Sequence, residues 1–340
     1  MIRIRASKSF IDALILIVTG KDDLTTDYFI RRLEQRHLSF FRFNTEDLLS
    51  GFEVSLRLGS DSADLSLTDI SRHVEVRLAD ITAAYFRKPQ VPIGDGQSEA
   101  SEQAFNRREL SETLRSIWRL IPDEKWLNAP EALWLAGNKV KQLKIATELG
   151  FRIPPTLISS NSREVLKFIE THDRKVIAKA VKHAFINCGD TMNLLFTSAL
   201  DQSDLTSIAT ATSLVPSIFQ PRLDKKYDLR ITVVGDLVFP VALLSQQNAE
   251  TSVDWRAWDV TGADLVHERF DLPENLRVLC IELNRRFNLR FSCIDMVQVK
   301  NGDLYFLEVN PNGQWAWIEE MVRFPIRDSI IDLLARPSHA

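Results

Sequence analysis

The sequence predicts an α/β protein with about two domains, and three features of the chain support this. Its 340 residues are enough for two domains of ordinary size. The apolar run ALILIV (13–18) precedes an amphipathic segment (25–36) and a second apolar run (38–43), which is the order of a β-α-β unit. Near the C-terminus, Asn301-Gly302 lies between two alternating apolar runs and predicts a β-hairpin.

The N-terminal half follows the same pattern along the chain. Thr25 or Thr26 is expected to cap the first helix. The unit lacks the glycine-rich fingerprint of dinucleotide-binding folds. Further elements are predicted from alternation and helical spacing: a hairpin over 53–58 and 64–69, a strand over 80–92, and a helix over 99–121.

The C-terminal half begins after a domain boundary predicted near 126–132. Gly150 is expected to end a helix that starts at 138, and Gly235-Asp236 predicts a hairpin turn. The polar segment 182–192 predicts a loop that fits a lid over a reaction requiring the exclusion of water. The other predicted elements are a helix over 162–172, strands over 175–181, 193–198, 217–223 and 228–244, and a helix over 274–288.

Composition and charge exclude several classes of protein. Hydrophobic residues make up 45% of the chain and charged residues 26%, as in soluble globular proteins. The net charge of −4 gives no electrostatic basis for binding nucleic acid. The cysteines at 188, 280 and 293 lack metal-type spacing and are odd in number, so reduced thiols in a cytoplasmic protein are expected. No run is long enough to span a membrane, and ALILIV is too short for a signal peptide.

The predicted C-terminal hairpin carries acids on a face that is otherwise mostly apolar. A two-residue turn at Asn301-Gly302 places Asp295 opposite Glu308, and Cys293 opposite Asn310. Two opposed carboxylates repel each other, and a Mg²⁺ ion would remove this conflict. The alternative is a pair of acids on a solvent-facing edge. Beyond the hairpin, Trp315 and Trp317 are expected to pack in the core.

Two lysines fit a ligand that carries phosphate groups. Lys139 follows Asn138 at a helix start, where the free N–H groups and the helix dipole favour anions. Lys179 lies within an otherwise apolar strand. It is either a residue at a strand edge that extends into solvent or a buried phosphate ligand.

Several motifs together resemble those of the ATP-grasp ligases, and more narrowly those of the peptide-modifying group that makes microviridins and other graspetides. The most specific motifs are LEVNPNGQ and KKYDLRITVVG together with DWR. The resemblance extends from the first strand to about residue 330. The motifs that carry it are FRKP (86–89), NK (138–139), PPTLIS (154–159), IAKAV (177–181), FQPRLDKKYDLRITVVG (219–235), DWR (254–256), Asp295 and FLEVNPNGQ (306–314).

This resemblance implies ATP and Mg²⁺ as cofactors and a set of residues that bind them. Lys139 and Lys179 would contact phosphates, and the segment Pro221-Arg222-Leu223 would meet adenine through its backbone. Pro221 stands where an acid is common, and Asp228 replaces the more usual Glu. The implied nucleotide-binding residues are Lys139, Lys179, Gln220, Pro221, Arg222, Leu223, Asp228 and Asn310. The implied metal ligands are Asp295, Glu308 and Asn310.

The resemblance also implies the domain organisation. Residues 1–128 would form a Rossmann-like pre-ATP-grasp domain, and residues 129–335 an ATP-grasp domain. The latter would divide into a central subdomain, about 140–218, and a C-terminal subdomain, about 219–335. A cytoplasmic homodimer is expected.

Three arginines are the predicted catalytic residues. Arg230 lies in a strand and Arg256 in a polar loop, and both are expected to position a carboxylate and stabilise a transferring phosphoryl group. Pairing of Arg256 with Asp254 or Asp259 is the alternative. Arg87 is expected to bind phosphate or substrate, or else to be solvated at its strand end.

Three functions from different classes fit these expectations. The favoured one is a ligase that activates Asp or Glu side chains of a ribosomal precursor peptide, made of leader and core. It would join them to Ser/Thr hydroxyls or Lys amines. The second is an amino-acid or peptide ligase of the ribosomal-protein glutamate ligase type. The third, a non-catalytic ATP-binding regulator, is disfavoured by the intact lysine and metal positions.

Overall fold

A computed structural model describes residues 2–3, 14–60, 63–90, 100–182, 185–188, 191–194, 198–199 and 215–336. The N-terminal strands are β1 (Ile2–Arg3), β2 (Leu14–Thr19), β3 (Phe40–Asn44), β4 (Phe52–Leu58), β5 (Ala63–Asp69), β6 (Val74–Arg77) and β7 (Ile81–Phe86). The middle strands are β8 (Leu157–Ser159), β9 (Val176–Lys179), β10 (Phe185–Cys188), β11 (Thr191–Leu194), β12 (Ser198–Ala199) and β13 (Ser217–Pro221). The last strands are β14 (Lys225–Val234), β15 (Leu237–Leu243), β16 (His267–Arg269), β17 (Phe291–Val299) and β18 (Leu304–Asn310).

The helices lie between and around these sheets. They are α1 (Leu24–Gln35), α2 (Ala100–Trp118), α3 (Pro130–Ala136), α4 (Lys139–Leu149), α5 (Ser162–Thr171), α6 (Trp258–Thr261), α7 (Glu274–Arg286), α8 (Ala316–Val322) and α9 (Ile326–Ala335). Gly150 ends α4 with a φ of 96°, as predicted, because a residue without Cβ adopts the left-handed conformation at little cost. Among the described helices, none is long and apolar enough to cross a membrane.

The N-terminal unit contains the predicted β-α-β arrangement. Strands β2, β3 and β7 are parallel and lie in the order β3-β2-β7, with β2 in the centre. The predicted caps of α1 are wrong, because the cap is Asp23, whose side chain accepts the Thr25 N–H at 3.1 Å. The Thr25 hydroxyl instead donates to Gln314, far along the chain. The predicted β4–β5 hairpin is present and belongs to a second sheet, ordered β1-β6-β5-β4.

Two further sheets follow in the C-terminal part. One has the order β12-β9-β13-β8 and the other the order β16-β15-β14-β17-β18. The turn at Gly235-Asp236 joins β14 to β15, as predicted. The chain passes between the two sheets at residues 222–224, so a boundary between 218 and 219 falls within β13.

The segment 182–192 is not the continuous loop that the sequence predicts. Strands β10 and β11 pair antiparallel, with Phe185 opposite Leu194 and Cys188 opposite Thr191. The strand character of FINC (185–188) is hard to see in the sequence, because polar residues lie on both sides of it. Residues 183–184 and 189–190, and the question of a lid, lie outside what the structure describes.

The β17–β18 hairpin has the predicted opposed residues but not the predicted turn. Asp295 faces Glu308 and Cys293 faces Asn310. The loop has three residues, 300–302, because the Val299 N–H donates to the Asp303 carbonyl and Gly302 has a φ of 94°. This shifts the register by one residue, and a bulge at Leu307 shifts it back before Glu308.

The hydrophobic core joins the N-terminal unit to the C-terminal sheet. One buried cluster contains Ile17 of β2, Phe29 of α1, Val234 of β14, Trp315 and Ile330 of α9. These contacts fix the carboxyl ends of β2 and β7 beside the turn that follows β18.

Candidate active site

A cleft lies between the β8–β9–β12–β13 sheet and the C-terminal sheet. Its cavity volume is about 80 Å³. Residues 252–256 cover one side of it. The lining residues include Pro154, Ile177, Lys179, Gln220, Pro221, Arg222, Leu223, Lys225, Asp228, Val297 and Leu307.

This narrow cleft opens into a wider groove with a cavity volume of about 1040 Å³. Trp255, Arg256, Asp295 and Glu308 line both spaces and therefore mark their junction. The groove is rich in cations and aromatic rings. Its other lining residues include Tyr28, Lys88, Lys139, Lys182, Arg230, Trp258, Asn310, Gln314 and Trp317. Two connected spaces that share a pair of acids fit two substrates that react at the junction.

Asp295 is buried and is held by Arg230. The guanidinium Nη1 lies 2.9 and 2.8 Å from the two carboxylate oxygens. Burial and the neighbouring Glu308 outweigh Arg230 and raise the pKa of Asp295 to about 6. Burial also opposes the charge of Arg230, but Asp295 outweighs it and raises the pKa of the guanidinium. Arg230 Nη2 donates to the Gln314 carbonyl at 3.3 Å, which ties it to the turn after β18.

The surroundings of Glu308 shift its pKa in the opposite direction to that of Asp295. Burial opposes its charge, but the cations Lys139, Lys179 and Arg256 outweigh burial and lower the pKa of Glu308. Lys139 Nζ lies 3.4 Å from Glu308 Oε2. Burial lowers the pKa of Lys179, although Glu308 acts against this. The two lysines singled out in the sequence therefore both act on this acid, Lys139 at the start of α4 by direct contact and Lys179 at the end of β9 through its charge.

Arg256 lies at the junction and is paired, as the alternative expectation held. Its Nε and Nη2 lie 2.9 and 2.5 Å from the two carboxylate oxygens of Asp254. The same carboxylate caps the short turn Trp255–Ala257 by accepting the Arg256 N–H at 3.2 Å. The hydrogen bond to Asp254 raises the pKa of Arg256. Pairing does not remove Arg256 from the cleft, because its side chain is 39% exposed.

The predicted hinge segment lines the narrow cleft. Gln220 is 2% exposed and donates to the Thr156 hydroxyl at 2.9 Å, while its carbonyl oxygen has no partner among the described residues. The Arg222 N–H is already used by the Lys175 carbonyl, at 2.7 Å. The N–H of Leu223 has no partner in the described part of the chain, so it is the donor available to a ligand in the cleft.

Asp228 is buried at the base of the cleft, where it accepts from Lys225 at 2.9 Å and from the Ser245 hydroxyl at 2.5 Å. Burial outweighs these donors and raises the pKa of Asp228. Asp228 therefore holds Lys225 at the wall of the cleft. Sequence patterns alone gave no reason to select Lys225 or Ser245.

Arg87 is buried rather than solvated. It is 0% exposed, and its Nη1 donates to the Asn312 carbonyl at 2.6 Å, while its Nη2 donates to Gln314 Oε1 at 2.5 Å. Its Nε lies 3.2 Å from an oxygen of Asp23. In this arrangement Arg87 supports the turn after β18, and its guanidinium is not among the described groups that line the cleft.

The turn that Arg87 holds carries Asn310, the third predicted metal ligand. Asn310 lines the groove, and its side-chain oxygen accepts the Asn312 N–H at 3.2 Å. Gly313 packs against β17, because a Cβ added there would lie 2.6 Å from both Arg230 Nη2 and Cys293 Cβ. The close approach explains why a glycine follows Asn312.

Comparison with known families assigns the chain. The family model of the RimK-like ATP-grasp domain matches residues 136–334, more than half of the chain. The chain belongs to the RimK-like ATP-grasp family. No curated protein sequence matches it.

Solved structures of other ATP-grasp proteins are similar over nearly the whole chain. A RiPP-associated ATP-grasp ligase of Chryseobacterium gregarium, in complex with ADP and a leader and core peptide, is 27% identical, with a TM-score of 0.87 over 95% of this chain and 96% of that one. The macrocyclase MdnC of Microcystis aeruginosa, bound with precursor peptide MdnA, is 24% identical, with a TM-score of 0.82 over 95% and 99%. The ATP-grasp ligase PsnB, with a precursor variant, Mg and ADP, is 20% identical, with a TM-score of 0.72 over 95% and 99%.

The acids of this ATP-grasp chain fit a magnesium ion that shares its ligands with phosphate. The described residues contain no cluster of three or more His, Cys, Asp or Glu side chains able to hold a metal. Asp295 and Glu308, with Asn310 at the strand end, offer two carboxylates and one amide. Mg²⁺ bound with ATP typically takes one or two carboxylates and fills its other positions with phosphate oxygens and water.

Trp317 packs against the core cluster around Trp315, as predicted, but it also has a second environment that the sequence did not indicate. Trp315 is fully buried, as predicted, and its Nε1 donates to the Tyr85 hydroxyl at 3.2 Å. Trp317 is partly buried and also lines the groove, with its ring 5.6 Å from Trp255 and 5.9 Å from Trp258. Because α8 starts at Ala316, the side chains of Trp315 and Trp317 point in different directions. The aromatic wall forms only when α8 and residues 255–258 meet.

Proposed function

We propose that this chain is an ATP-dependent ligase that modifies a ribosomally made precursor peptide. It activates Asp or Glu side chains of the peptide as acyl phosphates and joins them to Ser/Thr hydroxyls or Lys amines, forming macrocyclic esters or amides. The observation that carries the proposal is the junction of the two spaces at Asp295, Glu308, Arg256 and Trp255. The similarity to a ligase solved with ADP, leader and core peptide supports the choice of substrates.

The first step is phosphoryl transfer to a peptide carboxylate. A carboxylate oxygen attacks the γ-phosphorus, the bond to the bridging oxygen breaks, and ADP leaves. We assign Lys139 and Lys179 to the phosphates, because Lys139 contacts Glu308 and Lys179 lines the same cleft as that acid. Adenine would lie against residues 220–223, with the Leu223 N–H as donor and Asp228 and Lys225 below. Catalysis of such transfers consists mainly of positioning and charge stabilisation.

Arg256 and Arg230 have different parts in this step. Arg256 is partly exposed at the junction, and the fork of its guanidinium is held by Asp254, so its outer face can meet the acceptor carboxylate. Arg230 is 4% exposed and committed to Asp295, so it orients that acid toward the junction. Asp295, Glu308 and Asn310 would hold Mg²⁺, which supplies charge neutralisation at the phosphates.

In the second step a hydroxyl or amine of the same peptide attacks the acyl carbon and phosphate leaves. The peptide loses one water for each bond formed, while ATP becomes ADP and phosphate. Water must be kept from the acyl phosphate, and the aromatic wall of Trp255, Trp258 and Trp317 supplies an apolar surface beside the junction.

The assay combines the protein, ATP, Mg²⁺ and the peptide encoded beside its gene, and measures ADP together with peptide mass. We expect ADP and integral losses of water, both abolished in Glu308→Gln with the fold retained. The matched control is Glu274→Gln, whose acid is 85% exposed at the start of α7 and lines neither space. An amino-acid or peptide ligase of the ribosomal-protein glutamate ligase type is the alternative that the same assay tests. ADP formed only with free amino acids would establish that alternative and reject the peptide substrate.

Partners and location are further parts of the proposal. We propose a cytoplasmic homodimer that binds both leader and core of the precursor. The two described cysteines, Cys280 and Cys293, are free thiols, which fits a reducing compartment. We retain a pre-ATP-grasp unit over 1–128 and an ATP-grasp unit over 129–335, with the inner boundary moved to 222–224, where the chain changes sheets.

A further inference from the structure

A separate crevice lies at the carboxyl ends of the parallel strands of the N-terminal unit. Its cavity volume is about 280 Å³. Residues that follow β2, β3 and β7 line it. From the central strand β2 the chain continues to β3 on one side of the sheet, while β7 lies on the other side of β2. Such a change of direction is where open α/β sheets bind ligands. The lining residues are Gly20, Asp22, Asp23, Leu24, Thr25, Glu46, Lys88, Gln90 and Gln314.

The crevice contains a carboxylate oxygen without a partner. Glu46 is 7% exposed, and its Oε1 accepts the Lys21 N–H at 2.6 Å. Its Oε2 is buried and has no hydrogen-bond partner among the described residues. An unpaired buried carboxylate oxygen is costly, so such groups in native proteins usually have a ligand, an ion or a water.

The other two acids of the crevice, Asp22 and Asp23, differ in their pairing and exposure. Asp23 caps α1 and lies 3.2 Å from Arg87, so its charge is already balanced. Asp22 is exposed at the rim. Gly20 brings the backbone close to Glu46, because a Cβ added at Gly20 would lie 3.3 Å from Glu46 Oε1. The crevice thus combines a buried acceptor, an acidic rim and a narrow base. Lys88 also lines it, but among the described residues it forms no ion pair with Glu46.

The arrangement suits an organic cation better than a metal ion. Within the described residues, no three acids or His and Cys side chains converge closely enough to hold a metal. One buried carboxylate oxygen and a second acid at the rim match an ammonium group, which donates three hydrogen bonds and carries one charge.

The crevice is continuous with the groove of the candidate active site. Leu24, Thr25, Lys88 and Gln314 line both spaces. A peptide in the groove could therefore extend one side chain past Gln314 toward Glu46 without leaving the site.

We propose that this crevice is a subsite for the ammonium group of a lysine side chain of the substrate peptide, with Glu46 as its buried acceptor and Asp22 at the rim. That the ammonium belongs to a peptide rests on the function proposed above. The presence of an ammonium site at Glu46 does not, and it is tested without ATP or peptide.

The test uses butylammonium as the probe and 1-butanol as its neutral counterpart of equal length. Selective ¹⁵N-glycine labelling of the full chain limits the spectrum to the 12 glycines. Gly20 reports on the crevice, and its signal is identified with Gly20→Ala. Gly302, in the β17–β18 loop, reports on a distant site. We expect butylammonium to shift the Gly20 signal saturably, butanol to leave it unchanged, and Gly302 to respond to neither.

Two matched variants test the role of Glu46. Glu46→Gln keeps the size of the side chain and should weaken butylammonium binding by roughly 10-fold or more, the effect of losing a hydrogen bond to a charged group. Asp47→Asn removes the neighbouring acid, which pairs with Lys21 outside the crevice, and should bind as the parent does. The glycine spectrum itself checks that both variants are folded.

Three outcomes would overturn the proposal. These are an equal response to butanol, full binding in Glu46→Gln, and binding that appears only after Lys88→Ala. The last would mean that Lys88 itself fills the crevice. Once a modified peptide is known, replacing its lysine with norleucine should raise KM in the parent and not in Glu46→Gln. A failed peptide assay with intact butylammonium binding would reject the proposed function and leave the ammonium site standing.

Discussion

Replacing Gly313 with alanine should disturb the active site although no charged residue is replaced. The added Cβ would lie 2.6 Å from Arg230 Nη2, 2.6 Å from Cys293 Cβ and 2.7 Å from Cys293 Sγ. Ordinary contact begins at 3.4 Å, so the two shorter approaches fall 0.8 Å below it (3.4 − 2.6). Cys293 is 0% exposed and lies in the central region of β17, so it cannot move aside freely.

The turn or Arg230 must therefore shift in this variant. Overpacking of this kind lowers the free energy of unfolding by roughly 1–3 kcal/mol. Because Arg230 holds both oxygens of Asp295, a shift near 1 Å would also misplace the junction acid, and such misplacement reduces turnover by roughly 100-fold. We expect the loss of activity to exceed what the loss of stability explains.

Urea unfolding and ADP formation with peptide measure these two effects. The matched control is Gly51→Ala, where the added Cβ would lie 3.4 Å from Asp47 Cβ, an ordinary contact. It should change the free energy of unfolding by less than about 0.5 kcal/mol and leave activity unchanged. A Gly313→Ala protein as stable and as active as the parent would refute the claim that close packing at this turn positions Arg230.

Three further substitutions test ATP binding by Lys179, the positioning of Arg256 by Asp254, and the support of the turn after β18 by Arg87. Lys179→Met should weaken ATP binding by roughly 10-fold or more in calorimetry, with the fold retained, because burial already disfavours its charge. Asp254→Asn should lower kcat while leaving ATP affinity unchanged, since it releases the guanidinium of Arg256. Arg87→Gln should cost roughly 3–5 kcal/mol of unfolding free energy in urea, because it leaves Asp23 and the turn carbonyls without their buried donor.

Controls come from exposed residues of the same types. Asp271→Asn and Arg77→Gln alter side chains with only weak ion pairs, at 3.8 and 3.9 Å, and should be neutral. Arg87→Gln that stayed stable but lost activity would return Arg87 to the substrate-binding role predicted from the sequence. Unchanged ATP affinity in Lys179→Met, or unchanged kcat in Asp254→Asn, would contradict the corresponding assignment.

The pairing of Asp295 with Glu308 could be predicted from the sequence, although the predicted turn was wrong. Asn301-Gly302 suggested a two-residue turn, whereas the loop has three residues and Leu307 forms a bulge. The two offsets cancel, so Asp295 does face Glu308. A bulge has no simple sequence signature, because it depends on contacts such as the bond from the Phe306 N–H to the Arg152 carbonyl.

Residues that depend on distant partners were harder to predict. Thr25 looked like a helix cap, but its hydroxyl is used by Gln314, 289 positions away. Arg87 looked like a solvated strand end, because its neighbours at 312–314 come from another part of the chain. Glu46 was not selected at all, since its environment is created by three strand ends that meet only in the folded sheet.

The transfer of oxygen during the reaction shows whether the peptide carboxylate is activated as an acyl phosphate. The carboxylates of the substrate peptide are labelled with heavy oxygen, and the phosphate released during ligation is analysed by mass spectrometry. Activation at the Asp295–Glu308 junction as an acyl phosphate predicts one heavy oxygen in the released phosphate for each water lost from the peptide, with none in ADP. Unlabelled phosphate accompanying a ligated peptide would contradict the account.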